Sequence, residues 1–375
     1  MSSLAGRSLL VTNTSRSWGG NEHWAVQVAA GLAARGARVR FVWTHEAVGE
    51  RVREAGLEHR RLRLRADGDL PGVLRLREEI AAVQADAVLP TRWREYLHVG
   101  LAARLVRGRP RVVLRLGLNV RPRDDLKRRL VFAMADRILV NAPEIRDTLA
   151  AVPWLDADRV HVVLNGLDLE RWPPRWDPDV KARGRALRAE LGIAEGVPLL
   201  LAVGAFSPQK DLGGLLEAMT SVHRRVPAAH LLLLGDGFLR PEIEARRDAL
   251  GLTPAVRMPG FRRDVAAAMA AADLLVLSSV NEGMARVLIE AAASGLPVVA
   301  TDVSGTRLAV RHDTTGMVVA PADPAALADA VVTLLTDPDR RRRMGRSGRR
   351  LAEDRFAADR MLDETAAVLF GSGRL

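Results

Sequence analysis

Short apolar runs bounded by glycine, proline, asparagine or aspartate alternate with helical stretches along the whole chain, in two successive series. The first comprises SLLVTN (8–13), RVRFVWT (38–44), AVLP (87–90), VVLRL (112–116), RILVN (137–141) and HVVLNG (161–166). The second comprises PLLLAVGAF (198–206), AHLLLLGDG (229–237), AVRMPGF (255–261), DLLVLSS (273–279), LPVVATD (296–302) and GMVVA (316–320). Strands separated by helices return in the same direction, so the pattern predicts an α/β fold built on parallel sheets. The stretch EHWAVQVAAGLAARG (22–36) shows the helical period, with Trp24, Val28 and Leu32 at four-residue spacing and Gly36 as a stop. RWPPRWDPDV (171–180) interrupts the alternation and reads as an interdomain linker. A chain of 375 residues is long enough for two such domains, and 324–370 is helical in period and charge.

Composition removes several classes. With 48% hydrophobic and 27% charged residues, the chain reads as ordinary globular protein. The absence of cysteine excludes disulfide scaffolds, thiolate zinc sites and cysteine nucleophiles, and fits a reducing compartment. MSSLAGRSLLVTNTS is too short in apolar residues for a signal peptide, and no run approaches the ~18 apolar residues of a spanning helix. A cytoplasmic protein is expected. The net charge is +11, almost all of it in the first half: residues 1–175 hold 30 basic and 20 acidic side chains, a net of +10. The densest stretch is RLVRGRPRVVLRLGLNVRPRDDLKRR (104–129). It reads either as a solvated basic face or as a contact for an anionic membrane, at the inner membrane face, or for a lipid-linked substrate. Nucleic acid is not expected, because zinc spacings and RNP-type aromatic motifs are missing and the chain has one tyrosine.

The strongest local feature is NEGMARVLIEAAASGLPVVATD (281–302), with Glu282 and Glu290 eight positions apart. If a helix begins near Met284, Glu282 lies in the preceding loop and Glu290 on the helix. The free N–H groups of such a helix start favour phosphate. Spacing alone leaves open a plain strand–turn–helix with two exposed glutamates.

The surrounding residues resemble the family 4 retaining glycosyltransferases, whose Glu-x7-Glu motif is matched by Glu282 and Glu290. VGAFSPQKDLGGLLEAM (203–219), LLLGDGFLRPEIEARRDALGL (232–252), MPGFRRDVAAAMAAADLLVLSS (258–279) and TGMVVAPADPAALADAVVTLLTDPDRRRRMG (315–345) follow in the family's order. In the first half, GGNEHWAVQVAAGLAARG (19–36), ADRILVNAP (135–143) and HVVLNGLDLERWPP (161–174) also match. The resemblance implies a GT-B fold, two Rossmann-like domains facing each other across a cleft. Residues 1–172 would bind the acceptor, 173–355 the nucleotide sugar, and 356–375 would return as a helix to the first domain.

Further expectations follow from the same resemblance. Gly19 and Gly20 would let backbone approach the donor phosphates, and Lys210 would meet the pyrophosphate. The loops at Gly235, Gly237, Phe261 and Arg262 would receive the nucleoside. Glu282 would hold hydroxyls of the transferred sugar, and the backbone of Gly283, Met284, Ala285, Arg286 and Val287 would serve sugar and phosphates. Glu290 would accept the ribose hydroxyls. The reaction implied is metal-independent transfer with retention from a nucleotide-diphosphate sugar, a UDP-sugar foremost or a GDP-sugar, with no cofactor.

Three departures stand out. Ala205 replaces an arginine that often assists the lysine. Leu308 falls where a glutamate is common. The histidine that often follows the VVLRL strand has no counterpart, Gly117 standing there with Arg115 nearby. Arg16, Arg115 or Arg286 would then join Lys210 in stabilising charge. No Asp-x-Asp of the metal-binding kind is expected, since Asp156-Ala-Asp158 follows a Pro-Trp loop and both Asp-Pro-Asp segments read as turns. Trp18 and Trp93 suit either a sugar ring or packing. A nucleotide-sugar epimerase or a non-catalytic carbohydrate- or nucleic-acid-binding protein would share the fold.

Overall fold

The computed structural model describes residues 3–64 and 68–371. The chain forms two compact units, Met1–Asn165 with Asp359–Leu375, and Gly166–Ala358. In the first unit the strands are β1 (Ser8–Asn13), β2 (Arg38–Trp43), β3 (Glu58–Arg61), β4 (Ala87–Pro90), β5 (Arg111–Leu116), β6 (Arg137–Val140) and β7 (Val160–Val162). They form one parallel sheet in the order β3-β2-β1-β4-β5-β6-β7. Every residue of β1 is buried, as a central parallel strand covered by helices on both faces must be. β3, with the sequence EHRR, is exposed at every position and has no apolar run to reveal it. It is an edge strand, and Arg40 of β2 ties it down by ion pairs to Glu58 and to Glu79 of the Leu70–Val83 helix.

The Gly20–Ala34 helix buries Trp24, Val28 and Leu32 as its spacing predicts. The Ala358–Phe370 helix packs in the same core through Met361, Leu362, Val368 and Leu369. Arg35 donates to Asp359 and Asp363 at 2.8 and 2.7 Å. At the other end, Arg111 donates to the carbonyl of Leu369, and Arg137 to those of Ala367 and Val368. These guanidiniums satisfy carbonyls that a helix C-terminus leaves open.

The second sheet contains β8 (Leu199–Val203), β9 (His230–Leu234), β10 (Val256–Gly260), β11 (Leu274–Leu277), β12 (Val298–Thr301) and β13 (Gly316–Val319). Its order is β10-β9-β8-β11-β12-β13, again parallel. The direction of winding reverses between β1 and β4 in the first sheet and between β8 and β11 in the second. Open parallel sheets receive ligands at the carboxyl ends of the strands flanking such a reversal.

The Pro-Trp segment expected to be a linker packs inside the second unit. Trp172 Nε1 donates to Ser294 Oγ at 2.6 Å, and the Arg175 amide donates to the Ser294 carbonyl at 2.8 Å. The two Asp-Pro-Asp segments, expected to be turns, are helix starts instead. Asp177 and Asp337 each accept amide hydrogens as N-caps, with proline in the first turn, where its missing N–H costs nothing.

Candidate functional site

In the second unit the carboxyl ends of β8 and β11 bring Lys210 and Glu282 together. Lys210 ends a 3-10 turn, Pro208–Lys210, and Asp211 follows at φ 43° with its side chain capping the next helix at Gly214. The lysine side chain passes over Gly204, where a Cβ would lie 3.0 Å from its Cε. Its Nζ donates to Glu282 Oε1 at 2.5 Å, and the two side chains are 15% and 8% exposed. Ser279 Oγ donates to the same oxygen at 2.8 Å, and Ser278 Oγ donates to the Lys210 carbonyl at 2.8 Å. Nothing in the sequence pairs these serines beyond their place at the end of an apolar run. A buried ion pair is costly to break, because the remaining partner stays desolvated without its counter-charge.

Beyond Glu282 the loop runs buried through Gly283, Met284 and Ala285 into the Arg286–Ser294 helix, two residues later than expected. Its N-cap residue, Ala285, makes no side-chain cap hydrogen bond to that helix. Gly305 (φ 72°) clasps the loop; a Cβ there would stand 2.2 Å from the Gly283 carbonyl oxygen. Val287 is buried, and Glu290 lies on the helix, accepting from Arg286 Nε at 2.9 Å with both side chains 13% exposed. The expected ribose ligand therefore has its own guanidinium partner.

The loops after β9 and β10 join this site. Gly235 (φ 138°) admits no side chain, because a Cβ would meet the Gly204 carbonyl oxygen at 1.8 Å; one at Gly237 would meet that of Phe206 at 2.5 Å. Phe261 is exposed, as is Phe238, which the sequence reading did not single out. Arg262 is held by Glu190 and Asp264, which raise its pKa through their hydrogen bonds. It braces the loop and is not an open cation.

In the first unit the candidates lie near the carboxyl ends of β1, β4 and β5. Gly19 precedes the Gly20–Ala34 helix at φ −155°, an extended conformation open to any residue; what a side chain would meet is Glu22, 3.2 Å from its Cβ. Arg16 is exposed. Trp18 is half-buried, tilted against His23 and covered by Arg51. Trp93 packs on Tyr96 and Phe132, with Arg128 over its ring. Each tryptophan thus has packing partners on its ring. Arg115 is buried, at 2% exposure.

Beneath the Gly19–Gly20 turn lies a polar network. Asn13 Nδ2 donates to Thr91 Oγ1, Asn21 Nδ2 to the Thr91 carbonyl, and the Thr91 and Arg92 amides donate to Glu95 Oε1. Glu95 is fully buried, and desolvation pushes its pKa up to about 7 against the opposing effect of those amides. A raised carboxyl pKa means that the folded state holds the proton more tightly than the unfolded chain. Stability is then greatest below the unfolded value, near 4.5, and falls as pH rises to about 7. Glu95→Gln is expected to flatten that slope and to stabilise the first unit above pH 7 by up to about 3 kcal/mol. Denaturant unfolding at pH 5 and pH 8 checks it; a slope unchanged by the substitution would assign the pH dependence elsewhere.

Among the described residues no group of three or more His, Asp or Glu side chains is placed to hold a metal ion.

Comparison with known proteins supports the geometry. Residues 18–171 match the family described as "Glycosyltransferase Family 4", and residues 185–351 match "Glycosyl transferases group 1". A D-inositol 3-phosphate glycosyltransferase of Nocardia farcinica is 37% identical over 59% of this chain and 49% of its own length. An alpha-D-kanosaminyltransferase of Streptomyces kanamyceticus is 30% identical over 62% of this chain and 60% of its own. The chain thus spans about half to three-fifths of these relatives. Among solved structures, Anabaena Alr3699/HepE in complex with UDP-glucose superposes with a TM-score of 0.84 at 21% identity, covering 96% of this chain and 99% of that one. Matched in both halves and folded as two parallel-sheet Rossmann-like units, the chain belongs to the family 4, group 1 glycosyltransferases of GT-B fold.

Proposed function

We propose that this protein transfers a sugar, with retention, from a nucleotide-diphosphate sugar to an acceptor hydroxyl, without metal or cofactor. The second unit takes the donor and the first unit the acceptor. The observation that carries the reading is the Lys210–Glu282 pair beside an uncapped helix start at the reversal point of the second sheet. The ammonium and the helix start suit a diphosphate, while Glu282 and Glu290 offer acceptors to hydroxyls. The exposed rings of Phe238 and Phe261 suit a base. The UDP-glucose bound by the Anabaena protein supports UDP as the nucleotide.

No side chain is assigned as general base. The departing diphosphate takes the acceptor proton as the acceptor oxygen bonds to the anomeric carbon and the sugar–phosphate bond breaks. The protein contributes positioning and stabilisation of the diphosphate's developing charge. The acceptor is read as a lipid-linked or anionic saccharide met at an anionic membrane, placing the reaction in lipopolysaccharide, exopolysaccharide or glycolipid assembly. The support is the basic first unit; no described helix is long and apolar enough to cross a membrane.

Calorimetry with UDP tests the donor site. Glu290→Ala is expected to weaken UDP at least ~10-fold by removing a charged acceptor of the ribose hydroxyls. Glu282→Gln, which keeps the side chain's shape and touches the absent sugar, should leave UDP affinity within ~3-fold while slowing transfer. Equal loss of UDP in both variants would overturn this division, and absence of UDP binding to wild type would overturn the reading itself.

Ala205 is exposed and follows Gly204, over which Lys210 passes. Ala205→Arg is expected to tighten UDP by about tenfold, one charge-assisted hydrogen bond to phosphate. Unchanged affinity would show that position 205 lies out of reach of the diphosphate.

A further inference from the structure

Arg115, one residue before the end of β5, has a guanidinium buried among neutral groups. Its Nη1 donates to the Leu116 carbonyl at 2.5 Å and its Nη2 to Asn165 Oδ1 at 3.3 Å. The Trp24 ring lies 4.4 Å from its Cζ, and its buried Nε has no acceptor. No carboxylate among the described residues pairs with it. Desolvation brings its pKa down to about 10, still well above neutral pH, so the group keeps its charge. A buried cation without a counter-charge is expensive, and neutral acceptors compensate only in part.

Gly117 stands beside Arg115 Nη1. Gly117 is half-buried, and a Cβ there would have Arg115 Nη1 at 3.6 Å and Asn21 Oδ1 at 3.8 Å as its nearest atoms. Those are ordinary contact distances, and Gly117 is not among the residues at positive φ, so nothing in the backbone requires glycine. What glycine leaves is an opening of methyl-group size beside the guanidinium and the Asn21 carboxamide oxygen. That oxygen is held in place because Asn21 Nδ2 donates to the Thr91 carbonyl.

We infer that Arg115, reached past Gly117 and flanked by Asn21, binds a phosphate group carried by the acceptor, Asn21 Oδ1 accepting from a hydroxyl of the same ligand. This rests on the assignment of the first unit to the acceptor. The phosphate supplies the counter-charge that the fold withholds and an acceptor for the open donor positions of the guanidinium.

Inorganic phosphate is the probe, compared with chloride at equal ionic strength on the full chain. The Lys210→Ala variant removes the other expected phosphate contact. Saturating phosphate is expected to raise its unfolding midpoint by about 2–4 °C. Adding Gly117→Val, which fills the opening and leaves the cation in place, should abolish that rise; Arg115→Met should do the same. A rise that survives Gly117→Val, or no rise over chloride in Lys210→Ala, overturns the site. UDP calorimetry separates the two sources of phosphate. Unchanged UDP affinity in Gly117→Val supports the acceptor, whereas loss of UDP affinity assigns the site to the donor and overturns the inference as stated. Wild type that binds UDP but gives no phosphate response defeats this inference alone; wild type that binds no UDP defeats the donor reading.

Discussion

Replacing Lys210 with alanine is expected to lower turnover at least ~100-fold, since one donor to a developing oxyanion is typically worth ~2.7–4 kcal/mol. The structure adds a second consequence. Lys210 and Glu282 share a hydrogen bond in a nearly buried setting, so removing the lysine also leaves Glu282 without its cation. The effects of Lys210→Ala and Glu282→Gln should therefore not multiply. A coupling of about 0.5–3 kcal/mol between contacting residues predicts a double variant roughly 2- to 150-fold more active than the product of the single losses. Lys210→Arg should rescue only in part, because a planar fork must replace a compact ammonium in the space above Gly204. Near-normal turnover in Lys210→Ala would remove the residue from the mechanism, and strictly multiplicative losses would show that the pair does not act as a unit. Single-turnover rates at saturating donor supply both readouts.

The parts of this protein that were legible in its sequence share a physical reason. Strands buried on both faces have to be continuous apolar runs, so β1, β8, β9 and β11 show themselves directly. β3 is covered on neither side and is held by ion pairs, so EHRR carries no such signal. Lys210, Glu282 and Glu290 could be picked out by motif and order, but the contact between Lys210 and Glu282 spans 72 positions and depends on which strands flank the reversal. Arg286 as partner of Glu290 follows from helical i,i+4 spacing and was available in principle. The bracing of Arg262 by Glu190 was not, because the two meet only through tertiary packing. The segment at 171–180 shows the opposite error: proline and tryptophan suggested a linker, yet Trp172 and Trp176 pack against Ser294 and Gly295 within the second unit. Large aromatic residues in a proline-rich stretch point to packing contacts more than to chain flexibility, even where, as at Trp176, half the side chain stays exposed.

The protein is expected to float with anionic vesicles at low salt and to stay behind with neutral ones. The charge excess of the first half supplies the long-range part, each basic side chain near an anionic leaflet contributing about 1 kcal/mol within a Debye length. The structure narrows the contacts. Arg109, Arg128 and Arg129 are ion-paired with Asp136, Asp125 and Asp124, and Arg104 donates to the Gly100 carbonyl. Arg107, Arg121 and Arg123 are exposed, and Lys127 is half-exposed. Among them stand large apolar side chains open to solvent: Leu126 is 83% exposed, Val120 56%, Leu105 51% and Leu130 47%. Apolar residues interleaved with basic ones are what an interfacial contact requires, since the charges attract the surface and the leucines enter it. Raised salt should release the protein by screening the first term. Leu126→Glu with Leu130→Glu, both at exposed positions on the Leu126–Met134 helix, should cut binding at least ~10-fold at low salt by removing the second. Equal flotation on anionic and neutral vesicles, or none on either, would refute the membrane contact. Unchanged flotation in the leucine variant would move it to another face of the molecule. None of these outcomes bears on UDP binding, which the proposal above assigns to the second unit.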